Sequence, residues 1–433
     1  MWSNPRVRRR YVSAGFAFAA ALAVGPAAAA APADVTAKFH LKPGAHGVLC
    51  MDCHVDFQEV VKRPHVHTPV KAGRCAECHD PHASNHGKLL ADAPDKICAT
   101  CHGTMIPDGA KSTHEAVAQG KCVVCHDPHG SANKANLVRP GNELCLGCHE
   151  DVKKDLAAAT HKHTPASSNC LGCHDPHASK EAKSLLVKTP PALCVGCHNP
   201  AQPGFAKAHL GYPVARANCI SCHDPHGSPN KGILWASVHA PVQNKMCAQC
   251  HGEPPASGPI KVKKTAPELC RGCHNALFVD INSKNRVHWP VVDGLACANC
   301  HEPHAAKTAK LLTASQKQLC GGCHPDAVAR QEKSLTKHPP NADGQCSTCH
   351  APHSSDQTFL FRESSEIEVC GTCHDWKNHS AHPLGEKAVD KRNPNLRLDC
   401  ESCHRTHGTA FKSFAHYDTK GDLCTQCHIQ YTR

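Results

Sequence analysis

The sequence predicts an extended, mostly irregular chain with short α-helices, almost no β structure and an interior not built from side chains. Two observations carry this. Aromatic residues are 4% of the 433, and the 40% hydrophobic figure already counts 32 Cys, too little apolar side chain for a core of that size. All 32 Cys fall in Cys-x-x-Cys-His motifs, which recur sixteen times at spacings of 23 to 30 residues. Repetition at that interval builds an array of linked units rather than one globule.

The N-terminus reads as a signal peptide, residues 1–33. Arg6 to Arg10 form a basic region, Tyr11 to Val24 an apolar stretch, and Ala31-Pro32-Ala33 a small-residue cleavage site. An uncleaved anchor is the alternative, because residues 11–33 carry no charge. No Cys precedes Cys50, which excludes a lipid anchor on an N-terminal Cys, and no later run is long enough to span a bilayer. Removal of residues 1–33 takes four Arg with it and leaves 44 basic against 37 acidic residues.

The motifs are Cys50, Cys53 and His54; Cys75, Cys78 and His79; Cys98, Cys101 and His102; Cys122, Cys125 and His126; Cys145, Cys148 and His149; Cys170, Cys173 and His174; Cys194, Cys197 and His198; Cys219, Cys222 and His223; Cys247, Cys250 and His251; Cys270, Cys273 and His274; Cys297, Cys300 and His301; Cys320, Cys323 and His324; Cys346, Cys349 and His350; Cys370, Cys373 and His374; Cys400, Cys403 and His404; Cys424, Cys427 and His428. Two types alternate. In one, a further histidine follows three residues after the motif's own: His82, His129, His177, His226, His304, His353 and His407. Upstream of each stands another: His67, His114, His163, His209, His288, His338 and His382. The other type is plain, usually with Leu, Ile, Val or Met before its first Cys. Segments after plain motifs, such as Glu150 to Thr160 and Asn275 to Val287, predict short helices. The Asp-Pro and Gly-Ser stretches predict turns.

The alternation breaks once, where the plain motifs at Cys247 and Cys270 are adjacent. This divides the chain into a nine-motif module (34–251), a linker rich in Pro, Gly and Lys (252–269) and a seven-motif module (270–433). His239 and His416 each stand eight residues before a motif that closes a module.

Cys-x-x-Cys-His is a c-type haem attachment site. Two Cys at this spacing form thioethers to one porphyrin edge, and the adjacent His reaches the iron. Zinc sites need a second Cys pair or separated His. A disulfide scaffold gives no reason for sixteen adjacent His. The chain thus predicts sixteen covalently attached haem c groups. Their propionates turn the basic surplus into a formal charge of about −9 when oxidised and about −25 when reduced, so the Lys and Arg read as propionate partners rather than a nucleic-acid surface.

The extra histidines predict second iron ligands. His174 and His177 cannot take opposite faces of one iron, because three residues span at most about 10 Å. If His174 serves its own haem, His177 serves another, and the segment draws two haems together. Seven trailing, seven upstream and His239 with His416 make sixteen, one per haem. His40, His46, His65, His86, His161 and His379 are surplus. The choices of His67 over His65, His163 over His161 and His382 over His379 stay open, as does His46. Of the four Met, Met1 lies in the signal and Met51 inside a motif, so Met ligation, which raises haem potentials, is nearly excluded.

With Cys122-Val123-Val124-Cys125-His126-Asp127-Pro128-His129 as its pattern, the chain resembles the periplasmic decahaem c-type cytochromes of metal-reducing and dimethyl-sulfoxide-respiring bacteria. It is also similar to the pentahaem donor to nitrite reductase. It departs from them in having nine plus seven motifs rather than five plus five, and in Thr406 where the other segments carry Pro. The resemblance implies an extended multihaem cytochrome c array with a core of stacked haems. It implies a periplasmic electron carrier between a quinol-linked inner-membrane cytochrome and an outer-membrane or extracellular acceptor, in anaerobic or metal respiration. An outer-membrane porin and an outer cytochrome are the implied partners. Stacked at ~3.5–4 Å, sixteen porphyrins span about 60 Å, more than the ~40–45 Å of a bilayer with headgroups. The alternatives are a multihaem redox enzyme acting on nitrite, hydroxylamine or tetrathionate, and a filament-forming cytochrome.

Overall fold

The computed structural model describes residues 47–255, 260–378 and 382–431. Residues 1–33, read above as a signal peptide, and His40, His46 and His379 lie outside them.

Short helices and turns make up the chain, as its composition predicts. The buried apolar residues are few and small: Ala159, Ala178, Ala296, Ala305, Ala306 and Ala388, with Tyr212, Ile281, Ile367 and Val369 the larger ones. In place of a side-chain core, one connected cavity of about 6840 Å³ runs past thirteen of the sixteen motifs, from Cys50 to Cys346.

The two motif types fold differently. Plain motifs lie on or at the end of α-helices, such as Pro94–His102, Gly141–Leu146, Gln316–Gly321 and Glu366–Gly371. The apolar residue before the first Cys (Ile97, Leu144, Leu193, Leu269 or Leu319) lines the cavity. Ser315, Ser365 and Thr419 cap three of these helices by accepting a backbone N–H in the first turn. Motifs with a trailing histidine instead open on a single 3-10 turn, as at Cys75–Glu77, Cys122–Val124 and Cys170–Gly172. After Cys145 a helix covers Glu150–Ala158, as expected. The one expected from Asn275 starts earlier: Glu268–Ser283 runs through its motif with a kink at His274.

The strands are short and set in chain order as β1 (His65–Val66), β2 (Ser112–Thr113), β3 (Gly130–Ser131), β4 (His161–Lys162), β5 (Ala178–Ser179), β6 (Gly227–Ser228), β7 (Ser237–Val238), β8 (Arg286–Val287), β9 (Ala305–Ala306), β10 (Ser354–Ser355), β11 (Gly385–Val389) and β12 (Arg397–Leu398). The Gly-Ser segments expected as turns are therefore strands. Each pairs antiparallel with the strand before an upstream histidine one repeat earlier: β1 with β3, β2 with β5, β4 with β6, β7 with β9 and β8 with β10. A further rung has Leu335 donating its N–H to Thr409. Two residues are too few to show an alternating pattern, and the partner lies about 65 residues away. β7–β9 spans residues 252–269, joining the two predicted modules with the same geometry as the other rungs.

Small residues make the rungs close. A Cβ on Gly130 would meet the His65 carbonyl oxygen at 2.8 Å. A Ser two residues after the trailing histidine finishes the turn: Ser131 accepts the Asn133 N–H, and Ser179 donates to Leu186 O at 2.5 Å.

Candidate functional site

In every trailing-histidine motif the imidazole is aimed by its own hairpin. His79, His126, His174, His223, His301, His350 and His404 each donate Nδ1–H to a backbone carbonyl nine or ten residues on, at 2.7–2.9 Å. The acceptors are Lys88, Ala135, Ser184, Gly232, Lys310, Phe359 and Ser413, and all have positive φ, 53° to 70°. The left-handed turn points that carbonyl back at the ring. This fixes the tautomer and leaves Nε2 as the free lone pair, which a metal-binding imidazole needs.

The upstream histidines are held by the Pro of the trailing segment one repeat on. His67, His163, His239 and His288 donate Nδ1–H to Pro128, Pro225, Pro303 and Pro352 at 2.7–2.9 Å. The strand ladder sets this contact, since His67, His114, His239 and His288 also donate their backbone N–H to His129, His177, His304 and His353.

Among the described residues, fourteen motif histidines face a second histidine with ring centroids 5.8–6.2 Å apart. The trailing set gives His79–His129, His126–His177, His174–His226, His251–His304, His301–His353 and His350–His407. The upstream set gives His102–His67, His149–His114, His198–His163, His223–His209, His274–His239, His324–His288, His374–His338 and His428–His382. A metal midway between two imidazoles, bonded at about 2 Å to each nitrogen, puts the ring centroids about 6 Å apart. Between His251 and His304 the two Nε2 atoms face each other at 3.5 Å. Thirteen pairs are within 40° of parallel; His209–His223 is crossed at 68°.

The structure thus places His67 and His163, not His65 and His161, opposite motif histidines. His239 acts as an upstream histidine across 252–269, facing His274. Two candidates are placed elsewhere. The His82 side chain is 82% exposed beside Asp80, and the Nε2 of His416 donates to Glu401 O at 2.7 Å. His54 has Phe57 edge-on at 6.3 Å.

Burial holds His129, His177, His226, His304, His353 and His407 below the usual imidazole range, hence neutral at pH 7, the form that ligates iron. All 32 Cys are free of disulfides. First Cys residues of neighbouring motifs come within hydrogen-bonding reach, Cys98 with Cys122 and Cys194 with Cys219 among them. The cavity, 6840 Å³ over thirteen motifs, allows about 530 Å³ for each, inside the ~300–1,000 Å³ of a small-molecule site. Paired thiols beside opposed imidazoles along such a cavity fit haem, attached by the Cys and ligated by the His; bound there, it supplies a one-electron Fe(III)/Fe(II) couple. The Pro carbonyl, the left-handed turn and the Ser after the trailing histidine were not singled out from the sequence, although the recurring His-x-Pro-His-small-Ser signal contains two of them.

A chain built this way is a c-type cytochrome carrying many covalently bound haems. It belongs to the doubled CXXCH motif family, which matches residues 67–106, 114–154, 163–203, 212–238, 239–277, 288–329, 338–379 and 393–432. Six of these segments begin on an upstream histidine, and 239–277 takes the adjacent plain motifs at Cys247 and Cys270 as one doubled unit. No curated protein matches the chain.

Proposed function

We propose that the protein is an exported electron conductor with sixteen haems, one on each Cys-x-x-Cys-His motif, the fourteen with opposed histidines each ligated by two. The observation that carries this is the sharing of ligands between neighbours. His174 and His177 belong to one segment yet face His226 and His126, so two irons are tied through one four-residue segment. Short separations between redox centres and coordination on both faces of those fourteen haems suit electron transfer. The signal-like N-terminus supports a periplasmic location. Among the described residues no helix is long and apolar enough to cross a membrane, so a route across an outer membrane would need a surrounding barrel. We take the donor to be a quinol-linked inner-membrane cytochrome and the acceptor to lie at the outer membrane or beyond, through a porin and an outer cytochrome.

The test is on purified holoprotein. Its mass should exceed that of the processed chain by sixteen haems, and the fourteen haems with opposed histidines should not bind carbon monoxide when reduced. Tight binding at one haem would favour the redox-enzyme reading. Haem-stained fractionation should place the protein in the periplasm or with the outer membrane.

A further inference from the structure

The residue after the motif histidine occupies one equivalent position in seven segments: Asp80, Asp127, Asp175, Asp224, Glu302, Ala351 and Arg405. Its charge changes sign along the chain, and the carboxylates of Asp80, Asp127, Asp175 and Glu302 lie within 4.0 Å of the ring of the trailing histidine. Asp127, Asp175 and Asp224 accept the backbone N–H of His129, His177 and His226 at 2.9–3.0 Å. Their carboxylates reach the ring as well: Asp127 is 3.8 Å from His129 Nδ1 and Asp175 4.0 Å from His177 Nδ1. Glu302 is 3.3 Å from His304 Nδ1. Those imidazoles face His79, His126, His174 and His251. Toward the C-terminus, Ala351 brings no charge to His353, whose charged neighbour is Lys310. His407 has Arg405 and Arg330 beside it.

Countercharges temper but do not erase this series. Arg63 pairs with Asp127 at 3.1 Å. Lys307 lies near Asp224 but pairs with Asp155 at 2.5 Å. Among the described residues Asp175 has no Lys or Arg within ion-pair distance.

A negative charge beside an axial imidazole raises the basicity of that ligand and favours ferric iron; a guanidinium favours ferrous iron. We infer that the array is graded by this one position, with the haems ligated by His129, His177, His226 and His304 at low potential and the haem ligated by His407 at high potential, so that electrons run downhill from the N-terminal to the C-terminal repeats. Each transfer oxidises one ferrous haem and reduces one ferric haem, with no bond or proton exchanged. The direction rests on the conduction proposed above.

Spectroelectrochemical titration of the holoprotein tests it. Asp175→Asn keeps the oxygen that accepts the His177 N–H and should move about one-sixteenth of the absorbance change upward from the low-potential end. Arg405→Asp installs the residue four equivalent positions already use and should move a like share downward from the high-potential end. Arg330→Gln, which leaves the turn intact, should shift the same share in the same direction. Unshifted titrations, or shifts of opposite sign, in variants with full haem content and an unchanged low-spin spectrum overturn the grading while leaving conduction standing.

Discussion

The ring of His177 lies 6.2 Å from the ring of His126 and within 17° of parallel to it, although His177 follows His174 by only three residues. The strand that begins at Ala178, paired with Ser112–Thr113, carries it there. The relationship repeats at His129, His226, His304, His353 and His407, and most of the function can be tested through it.

Replacing His177 by Ala should leave the iron attached at Cys122 and Cys125 five-coordinate. About one haem in sixteen would become high-spin and bind carbon monoxide when reduced, with the total haem content unchanged. His82→Ala, at an exposed ring turned toward Asp80, is the contrasting substitution and should leave the trailing-set spectrum as it is. Magnetic resonance showing no loss of bis-His haem in His177→Ala would disprove the coupling.

The last rung of the ladder depends on Gly408. Its φ is 108°, and a Cβ there would lie 2.7 Å from Ser334 Cβ and 2.9 Å from Arg330 O. Gly408→Ala should therefore destabilise the C-terminal repeats by roughly 1–3 kcal/mol. Limited proteolysis should show cleavage beginning around this rung, while the N-terminal repeats stay resistant.

Haem attachment should be a condition of folding. With six Ala among ten buried apolar residues in the described part, side-chain burial alone cannot offset the ordering of about 380 residues. Expression without cytochrome c maturation should give a chain with little helical circular dichroism that proteases degrade quickly. A cooperative unfolding transition in haem-free material would contradict this.

Stability should also fall with rising pH around Glu366. Burial, with Asp399 and Glu401 nearby, pushes this carboxyl up to about 8 from 4.5, even though it accepts the Glu401 N–H. Between those two values the folded state holds a proton that the unfolded chain has released, so stability declines as pH rises through the window and levels off above it. Glu366→Gln, which keeps the acceptor, should flatten the decline. Parallel denaturation midpoints for parent and variant at pH 5 and pH 8 would rule Glu366 out as its source.

What could be read in advance was chemical and local. Cys-x-x-Cys-His is a contiguous motif, so the attachment points, the motif histidines and the poverty of side-chain core were legible from residue types and spacing. The helix after Cys145 was legible for the same reason. The need for shared ligands also followed, because three residues cannot span a porphyrin. Partner choice was not legible. Which of His65 and His67, or His161 and His163, faces a motif histidine depends on a two-residue strand and a Pro carbonyl more than 60 residues away, and periodicity cannot detect a strand that short. The same ladder crosses residues 252–269, where composition suggested a boundary, and turns His239 from a closing histidine into a rung. Sequence determined how many haems the chain can hold and which atoms attach them. Tertiary structure decided which histidines face one another, because long-range backbone pairing, not local spacing, sets that distance.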